Sequence, residues 1–217
     1  MNKVIVLILA ILLLTSACSL FNKNTVPECE ELKTETGRNT CYAELGILRA
    51  DINLCDQATT EESKFYCYEG IAAKTNAPAI CDEIENSYWQ NICYKETGIN
   101  LQQVDLCSKS NNDALKNDCI YNVSVGTRTT SSCGLISEET AFIRCFNAIA
   151  VAQKSIVPCK EMNAPPLVHD QCIYAVAKAQ KDPSTCNHIM TSQPKKICFD
   201  RVKELADQAS NTTNSTN

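Results

Sequence analysis

Large apolar side chains recur along the chain at fixed distances from evenly spaced cysteines. One directly follows the second cysteine of each cysteine pair, a mostly apolar residue comes four positions after that cysteine, and a small residue comes five positions after it, except at Lys203. These positions share one face of an α-helix, so the pattern predicts a long helix with an apolar stripe that a neighbouring helix can approach closely. The residues are Tyr42, Tyr68, Tyr94, Ile120, Phe146, Ile173 and Phe199, then Leu45, Ile71, Thr97, Val123, Ile149, Val176 and Val202, then Gly46, Ala72, Gly98, Ser124, Ala150 and Ala177.

A shorter helix is predicted around the first cysteine of each pair. An apolar residue follows that cysteine by three positions in six of the seven pairs, with Ser110 as the exception. Polar residues with capping side chains precede these segments, where a side-chain oxygen can accept the free N–H groups of a first helical turn. The expected starts are Asp51, Ser155 and Asp182 for short helices, and Ser87, Ser137, Asn163 and Ser192 for long helices.

The cysteines themselves set the period. From Cys29 to Cys198, fourteen cysteines are separated alternately by 12 and 14 residues, with a single gap of 13 between Cys159 and Cys172. The chain therefore contains seven units of about 26 residues, each with a short and a long helix. Such units become stable by stacking on one another. The sequence predicts an all-α fold, an α-solenoid of seven disulfide-linked helical hairpin repeats over residues 29–208.

Two disulfide patterns fit this spacing. Pairing within each unit joins the two helices across their turn and leaves no cysteine over. Pairing each second cysteine with the next first cysteine also spans a turn, but it strands Cys29 and Cys198. We favour pairing within units, because closing such a loop stabilises a small hairpin by roughly 3 kcal/mol in the chain-entropy model. The favoured bridges are Cys29–Cys41, Cys55–Cys67, Cys81–Cys93, Cys107–Cys119, Cys133–Cys145, Cys159–Cys172 and Cys186–Cys198.

The N-terminus has the pattern of an export signal. Lys3 supplies a positive charge, an apolar run of eleven residues extends from Val4 to Leu14, and small residues lead to Cys18. The run is too short for a permanent membrane-spanning helix, so residues 1–17 are predicted to be a signal peptide. Outside the cytoplasm thiols oxidise and persist as disulfides, in agreement with the cysteine repeat.

The end of this signal, Leu14-Thr15-Ser16-Ala17-Cys18, resembles a lipoprotein lipobox, in which the cysteine becomes the first mature residue and carries a lipid. The match departs at Thr15, where lipoboxes prefer Leu. The resemblance implies a lipid on Cys18, with residues 18–28 as a short tether to the outer face of the cell membrane. The alternative is ordinary cleavage that leaves Cys18 as a free thiol. Setting Cys18 aside leaves an even number of cysteines for disulfides, which favours the lipid.

The repeat resembles that of uncharacterised Cys-repeat surface lipoproteins of archaea. It is similar only in architecture to tetratricopeptide and Sel1-like solenoids, whose repeats are longer and whose consensus residues are missing here. The resemblance spans Cys29 to about Gln208 and implies an extracytoplasmic surface protein. The polar residues 209–217 are predicted to form a disordered tail. Acceptor patterns for N-glycosylation begin at Asn122, Asn211 and Asn214.

Composition and motifs exclude several functions. The chain of 217 residues has 20 Lys and Arg against 25 Asp and Glu, so it lacks the basic surface that nucleic-acid binding needs. His169 shares a helix face with Cys172, but a cysteine in a disulfide is no nucleophile. The acidic pairs Asp82-Glu83 and Glu138-Glu139 diverge on a helix, as in a solvated surface. With two His and no C-x-x-C motif, neither zinc nor covalent haem is expected. We expect no enzyme, no metal and no cofactor.

Five of the seven positions three residues before a second cysteine can carry a positive charge. Acidic residues stand beside several first cysteines, on the opposite helix of the hairpin, and we expect the two rows to pair with each other at the surface. The first row is Arg38, Lys64, Gln90, Lys116, Phe142, His169 and Lys195, and the acidic row is Glu30, Glu31, Asp56, Asp82, Glu83 and Glu161.

These observations lead to an exported, lipid-anchored surface protein that binds or scaffolds another cell-surface protein or a polymer, as solenoids commonly do. A passive envelope spacer is the alternative, and a thiol-redox or metal-thiolate protein is a third hypothesis that requires reduced cysteines. The repeats differ widely outside the apolar stripe, which favours recognition over a spacer.

Overall fold

The structure is a computed structural model that describes residues 26–214, with side chains up to Gln208. Within this part of the chain there are fourteen helices and no strand, and short helices alternate with long ones. The short helices are Pro27–Glu30, Ile52–Cys55, Pro78–Glu83, Val104–Cys107, Thr130–Leu135, Val157–Glu161 and Pro183–His188. The long helices are Glu35–Arg49, Glu61–Thr75, Ser87–Leu101, Asp113–Thr127, Glu139–Gln153, Pro166–Gln180 and Ser192–Asn214. Three of the short helices, Pro78–Glu83, Thr130–Leu135 and Pro183–His188, are 3-10 helices.

The chain forms two compact units, divided between Glu85 and Asn86, inside the third of the seven repeats, which are numbered 1 to 7 by their cysteine pairs. In the first unit the long helices of repeats 1 and 2 pack on each other and on their own short helices. In the second unit the five long helices from Ser87–Leu101 to Ser192–Asn214 pack each on the next. The predicted all-α fold is confirmed, with helical hairpins stacked in solenoid fashion within each unit.

Six disulfides close within their own repeats, with Cα atoms 5.4 to 5.8 Å apart. They confirm within-repeat pairing and contradict the rival scheme. Cys81 and Cys93 are disulfide-bonded as well. The six bridges are Cys29–Cys41, Cys55–Cys67, Cys107–Cys119, Cys133–Cys145, Cys159–Cys172 and Cys186–Cys198.

The small residue five positions after a second cysteine makes room for the disulfide of the next repeat. A Cβ atom built on Gly46 would overlap Cys67 Sγ and would lie 3.4 Å from Cys55 Sγ. Gly98 stands in the same relation to the next bridge, with a Cβ 3.0 Å from Cys119 Sγ. The sequence predicted that a neighbouring helix approaches this position closely. In the structure, the group that lies against Gly46 and Gly98 is the disulfide of the next repeat. Lys203 occupies this position in the last repeat, which has no following disulfide.

Several long helices begin after a residue whose side chain caps their first N–H groups. Asn86, rather than the predicted Ser87, caps the third long helix, because its side-chain oxygen accepts the N–H groups of Tyr88 and Trp89. Glu138 replaces Ser137 in the same way, and Pro165-Pro166 rather than Asn163 begins the sixth long helix. Asp51, Asp182 and Ser155 accept N–H groups of short helices as predicted.

Six long helices end in a left-handed residue that has a side chain, with φ between 51° and 56°: Ala50, Asn76, Gln102, Arg128, Lys154 and Lys181.

The helical repeat region is longer at both ends than the predicted residues 29–208. Val26 is buried with Tyr42 and Leu54, so the first hairpin includes residues 26–28 that were assigned to the tether. The last helix continues to Asn214, so the backbone of residues 209–214 is helical where a disordered tail was predicted. The signal peptide 1–17, Cys18 and the remaining tether residues up to Thr25 lie outside the described residues, as do residues 215–217.

Candidate functional site

Side-chain clamps join successive repeats. The residue two positions before a second cysteine is Asn39, Asn91, Asn117 or Asp170 in four repeats, and each receives a backbone N–H from the following repeat. Asn39 Oδ1 accepts the N–H of Thr59 at 2.9 Å, and Asn39 Nδ2 donates to the Thr59 hydroxyl at 3.0 Å. These clamps hold the turn between the short and long helices of the next repeat. Sequence reasoning missed them, although the recurrence of Asn and Asp at this position was visible.

Asp170 makes the strongest version of this clamp. Its carboxylate accepts the N–H groups of Met190 at 2.8 Å and Thr191 at 3.0 Å, together with the Thr191 hydroxyl. Burial opposes ionisation of Asp170, but the hydrogen bonds from Thr191 and Met190 outweigh it and hold the pKa of this carboxyl below its ordinary value. Asp170 therefore stays ionised and fixes the last repeat.

Repeats 2 and 5 depart from this rule, with Phe65 and Ile143 at the clamp position, and neither side chain has an oxygen that could accept an N–H group. At repeat 2 a cleft of about 380 Å³ lies between the hairpin and the short helix Pro78–Glu83. All of its lining belongs to the first unit: Ile52, Asp56, Glu61, Lys64, Phe65, Tyr68, Glu83, Ile84 and Glu85. Four carboxylates, one ammonium group and three apolar side chains line the cleft, so it suits a ligand with a positive charge beside an apolar group.

Tyr68 and Asp56 form the ordered polar edge of this cleft. The Tyr68 hydroxyl donates to Asp56 Oδ1 at 2.5 Å. Burial raises the pKa of Tyr68, and the hydrogen bond to Asp56 and the charges of Glu83 and Glu85 raise it further. The phenol thus remains a hydrogen-bond donor to the carboxylate at physiological pH.

Repeat 1 contains the same pair, because Tyr42 donates its hydroxyl to Glu30. The predicted pairing of acidic and cationic rows is therefore wrong for Glu30 and Asp56, whose partners are tyrosines. Two cations of the other row bind turn carbonyls of their own hairpins instead. Arg38 donates to Leu32 O at 3.0 Å, and Lys195 donates to Asn187 O at 2.9 Å.

A second concave surface lies on the long helix of repeat 1. This open-end groove, of about 680 Å³, is lined by Glu28, Leu32, Thr36, Gly37, Thr40, Cys41, Glu44, Leu45, Leu48 and Arg49. Cys41 and Leu45 are half-buried here, whereas the other thirteen repeat cysteines are fully buried. Leu48 is 69% exposed. The groove is the face that a preceding repeat covers elsewhere in the stack.

The candidate catalytic residues are not assembled into a reactive site. Cys172 is bonded to Cys159, and His169 Nε2 is buried without a hydrogen-bond partner among the described residues. Glu138 caps its helix, and the N–H groups of Ala141 and Thr140 hold the pKa of this carboxyl below its ordinary value. In residues 26–214, no group of three or more His, Cys, Asp or Glu side chains is arranged to hold a metal ion.

The candidate glycosylation sites differ in accessibility. Asn122 is exposed and its Nδ2 donates to Asp118 O at 2.8 Å. Ser124, the third residue of that pattern, is fully buried and donates its hydroxyl to Ile120 O at 2.6 Å. Asn211 and Asn214 lie in the backbone of the last helix, and their side chains are outside the described part.

Two observations bear on location. A set of disulfides this dense is typical of an oxidising, extracytoplasmic environment. Between residues 26 and 214, none of the helices has the length and apolarity that crossing a membrane requires.

Comparisons with known proteins found no match, so the function proposed below is argued from the sequence and from the geometry of the described residues. No protein-family model, no curated protein and no solved structure matches the chain. The resemblance to archaeal Cys-repeat lipoproteins stays a prediction.

Proposed function

We propose that this protein is an exported, non-catalytic binding scaffold, anchored by a lipid on Cys18 to the outer face of the cell membrane. The signal-like residues 1–17, the lipobox-like sequence before Cys18 and the disulfides support this proposal. The oxidised state of all fourteen repeat cysteines argues against a thiol-redox or metal-thiolate role, which needs free thiolates.

The cleft of repeat 2 is the binding site in this proposal, and the observation that carries it is Phe65 in place of a clamp residue. Phe65 has no side-chain oxygen to accept an N–H group of the next repeat, and its side chain lines the cleft. Four carboxylates line the cleft together with the apolar side chains of Phe65, Ile52 and Ile84. Its ligand is a cell-surface protein or polymer that presents amino or guanidinium groups next to an apolar group.

A fluorescence anisotropy titration tests this site with two probes: a labelled peptide of alternating lysine and leucine, and labelled chitosan oligomers as a cationic polymer. The variant Glu83→Gln/Glu85→Gln removes two carboxylates, and Phe65→Asn introduces the clamp residue of repeats 1, 3 and 4. We expect each variant to weaken binding of the preferred probe by roughly tenfold. The control is Glu62→Gln, which removes an exposed carboxylate that lies on the same helix as Phe65 but outside the cleft.

Equal binding by the cleft variants and the control, or no binding of either probe to the wild type, would reject the site and favour the passive spacer. The anchor is tested separately. Wild-type protein should fractionate with membranes and carry a lipid mass on the Cys18 peptide, whereas Cys18→Ser should be released. A wild-type Cys18 peptide of unmodified mass would reject the anchor without affecting the cleft.

A further inference from the structure

The open-end groove of repeat 1 exposes surface whose counterpart in repeat 2 is covered. Cys41 is half-buried in the groove, whereas its counterpart Cys67 is 0% exposed. The cover in repeat 2 is the preceding long helix, because Gly46 packs against the disulfide of Cys67. No long helix precedes repeat 1 within residues 26–214, so the groove stays open there and Leu48 is 69% exposed.

The groove has a charged residue at a position where the stack of repeats 1 and 2 has glycine. Gly70 comes three positions after the second cysteine of repeat 2, and the Ile47 side chain of the covering helix lies 2.5 Å from the position that its Cβ atom would take. Repeat 1 has Glu44 at the equivalent position. A helix that packed on repeat 1 as repeat 1 packs on repeat 2 would therefore collide with the Glu44 side chain. The groove requires an occupant that approaches in a different orientation.

The last repeat of another copy cannot continue the stack over this groove. The covering positions of Gly46 and Ile47 correspond to Lys203 and Glu204 in the last repeat, and both of these charged residues are exposed. A single Cβ atom on Gly46 would already overlap the sulfur of Cys67. The longer Lys203 side chain has no room against a disulfide in the same geometry, which excludes head-to-tail stacking of copies.

The charges of the groove complement one another under a two-fold rotation. Glu44 directly precedes Leu45, Arg49 directly follows Leu48, and all four residues line the groove. Neither Glu44 nor Arg49 forms an ion pair within the part of the chain whose side chains are described. A second copy of this helix in antiparallel orientation presents the same residues in reverse order, so Arg49 of each copy faces Glu44 of the other. The same arrangement brings Leu48 of each copy against Leu45 of the other.

We propose that the open-end groove is the interface of a symmetric dimer, in which the long helices of repeat 1 of two copies pack antiparallel. The dimer buries Leu45 and Leu48 of both copies and forms the pair between Glu44 and Arg49 twice. The groove has ten lining residues, fewer than the roughly 20–30 per side of a standard stable interface. The dimer is therefore weak and forms where the chain is concentrated. It depends neither on a lipid at Cys18 nor on a ligand in the cleft of repeat 2.

Photo-crosslinking in the full exported chain, at increasing protein concentration, tests the contact. With Leu48→p-benzoylphenylalanine, we expect crosslinked dimers in which residue 48 of one copy is joined to residues 41–49 of the other. A mixture of isotope-labelled and unlabelled chains identifies the links between copies. The control is Tyr66→p-benzoylphenylalanine, because Tyr66 is 52% exposed and lies outside the groove, and it should give roughly tenfold less dimer. Links only within one molecule, links to a different protein, or no dimer at any concentration would overturn the proposal.

An exchange of charges tests the two-fold arrangement itself. Glu44 and Arg49 are both exposed, so the fold should tolerate changes at either position. Glu44→Arg and Arg49→Glu each place like charges at both contacts of a dimer and should lower the yield of crosslinked dimer roughly fivefold. A mixture of the two variants should recover most of the yield, because every contact in a mixed dimer then joins opposite charges. A mixture that crosslinks as poorly as either variant alone would count against the dimer, whatever the outcome of the anchor and cleft experiments.

Discussion

The side-chain oxygen of Asn39 accepts a hydrogen bond from the backbone N–H of Thr59, although the two residues lie twenty positions apart in different repeats. Asn39 is 3% exposed, so its amide is committed to this contact. The relationship makes a polar side chain, together with the apolar stripe, responsible for the register of the stack.

Replacing this clamp should destabilise the protein. Asn39→Leu leaves the Thr59 N–H without its acceptor and should lower the free energy of unfolding by about 2 kcal/mol. The matched control is Asn39→Asp/Glu35→Gln, because a carboxylate accepts the same N–H group as Asp170 does in repeat 6, and the second change removes the like charge that shares the Thr59 hydroxyl. Urea unfolding followed by circular dichroism measures both variants, with Glu35→Gln alone as the reference for the control. A loss in the control, relative to Glu35→Gln, as large as that in Asn39→Leu would show that the N–H contact is not what Asn39 contributes.

The small position next to each following disulfide gives a second prediction. Gly46→Leu forces a side chain into the space of Cys67 Sγ and should cost about 3 kcal/mol of stability or more. Lys203→Leu places the same side chain at the same repeat position, where no disulfide follows, and should change stability by less than about 0.5 kcal/mol. Thermal unfolding of the two variants measures the difference. Similar losses in both would contradict the stacking of the disulfide on this position.

Replacing a left-handed residue at a helix end with glycine should raise the stability of the protein. Lys154 has φ 51°, a conformation that costs a residue with a Cβ atom more than glycine. Lys154→Gly should therefore stabilise the protein by about 0.5 kcal/mol. Asn76→Gly is the comparison, because Asn tolerates this conformation and should gain less. Differential scanning calorimetry can rank the two, and a loss of stability in Lys154→Gly would contradict the prediction.

Alkaline pH should weaken the tyrosine and carboxylate pair of repeat 1. Burial, with the hydrogen bond to Glu30, raises the pKa of Tyr42 from its ordinary value of 10.0 to about 12. The unfolded chain ionises first, so the stability from this pair is complete below pH 10 and is lost as the pH rises towards 12. Unfolding free energies compared between wild type and Tyr42→Phe should converge over this range. A difference that is independent of pH would contradict the shift.

Much of the architecture could be predicted because its signals are covalent and periodic. The cysteine period and the apolar stripe sufficed to predict the hairpins and the within-repeat bridges. The clamps could not be recognised, because Asn117 on a helix looks like a surface residue until the turn of the next repeat is placed against it. The predicted helix start at Ser137 was wrong by one residue for a similar reason. The Ser137 hydroxyl and N–H are engaged by Asn117, which leaves Glu138 to cap the helix.

The cleft of repeat 2 illustrates the same limit. Phe65 has no unusual feature as a residue, and its meaning comes from the role of its counterparts Asn39 and Asn91. That role depends on contacts between repeats, which sequence periodicity does not report. The acidic row was visible, but its partners were assigned by charge alone, and Glu30 and Asp56 bind tyrosine hydroxyls instead.

The six disulfides that close inside their own repeats have a mechanical consequence. A pull along the chain can separate one hairpin from the next, because only side-chain clamps and packing cross that junction. The 12 or 13 residues behind each bridge cannot lengthen, so a repeat that gives way releases about 14 residues, or about 50 Å of chain. The protein should extend in equal steps under load and recover each step rapidly, because every released hairpin keeps its covalent closure.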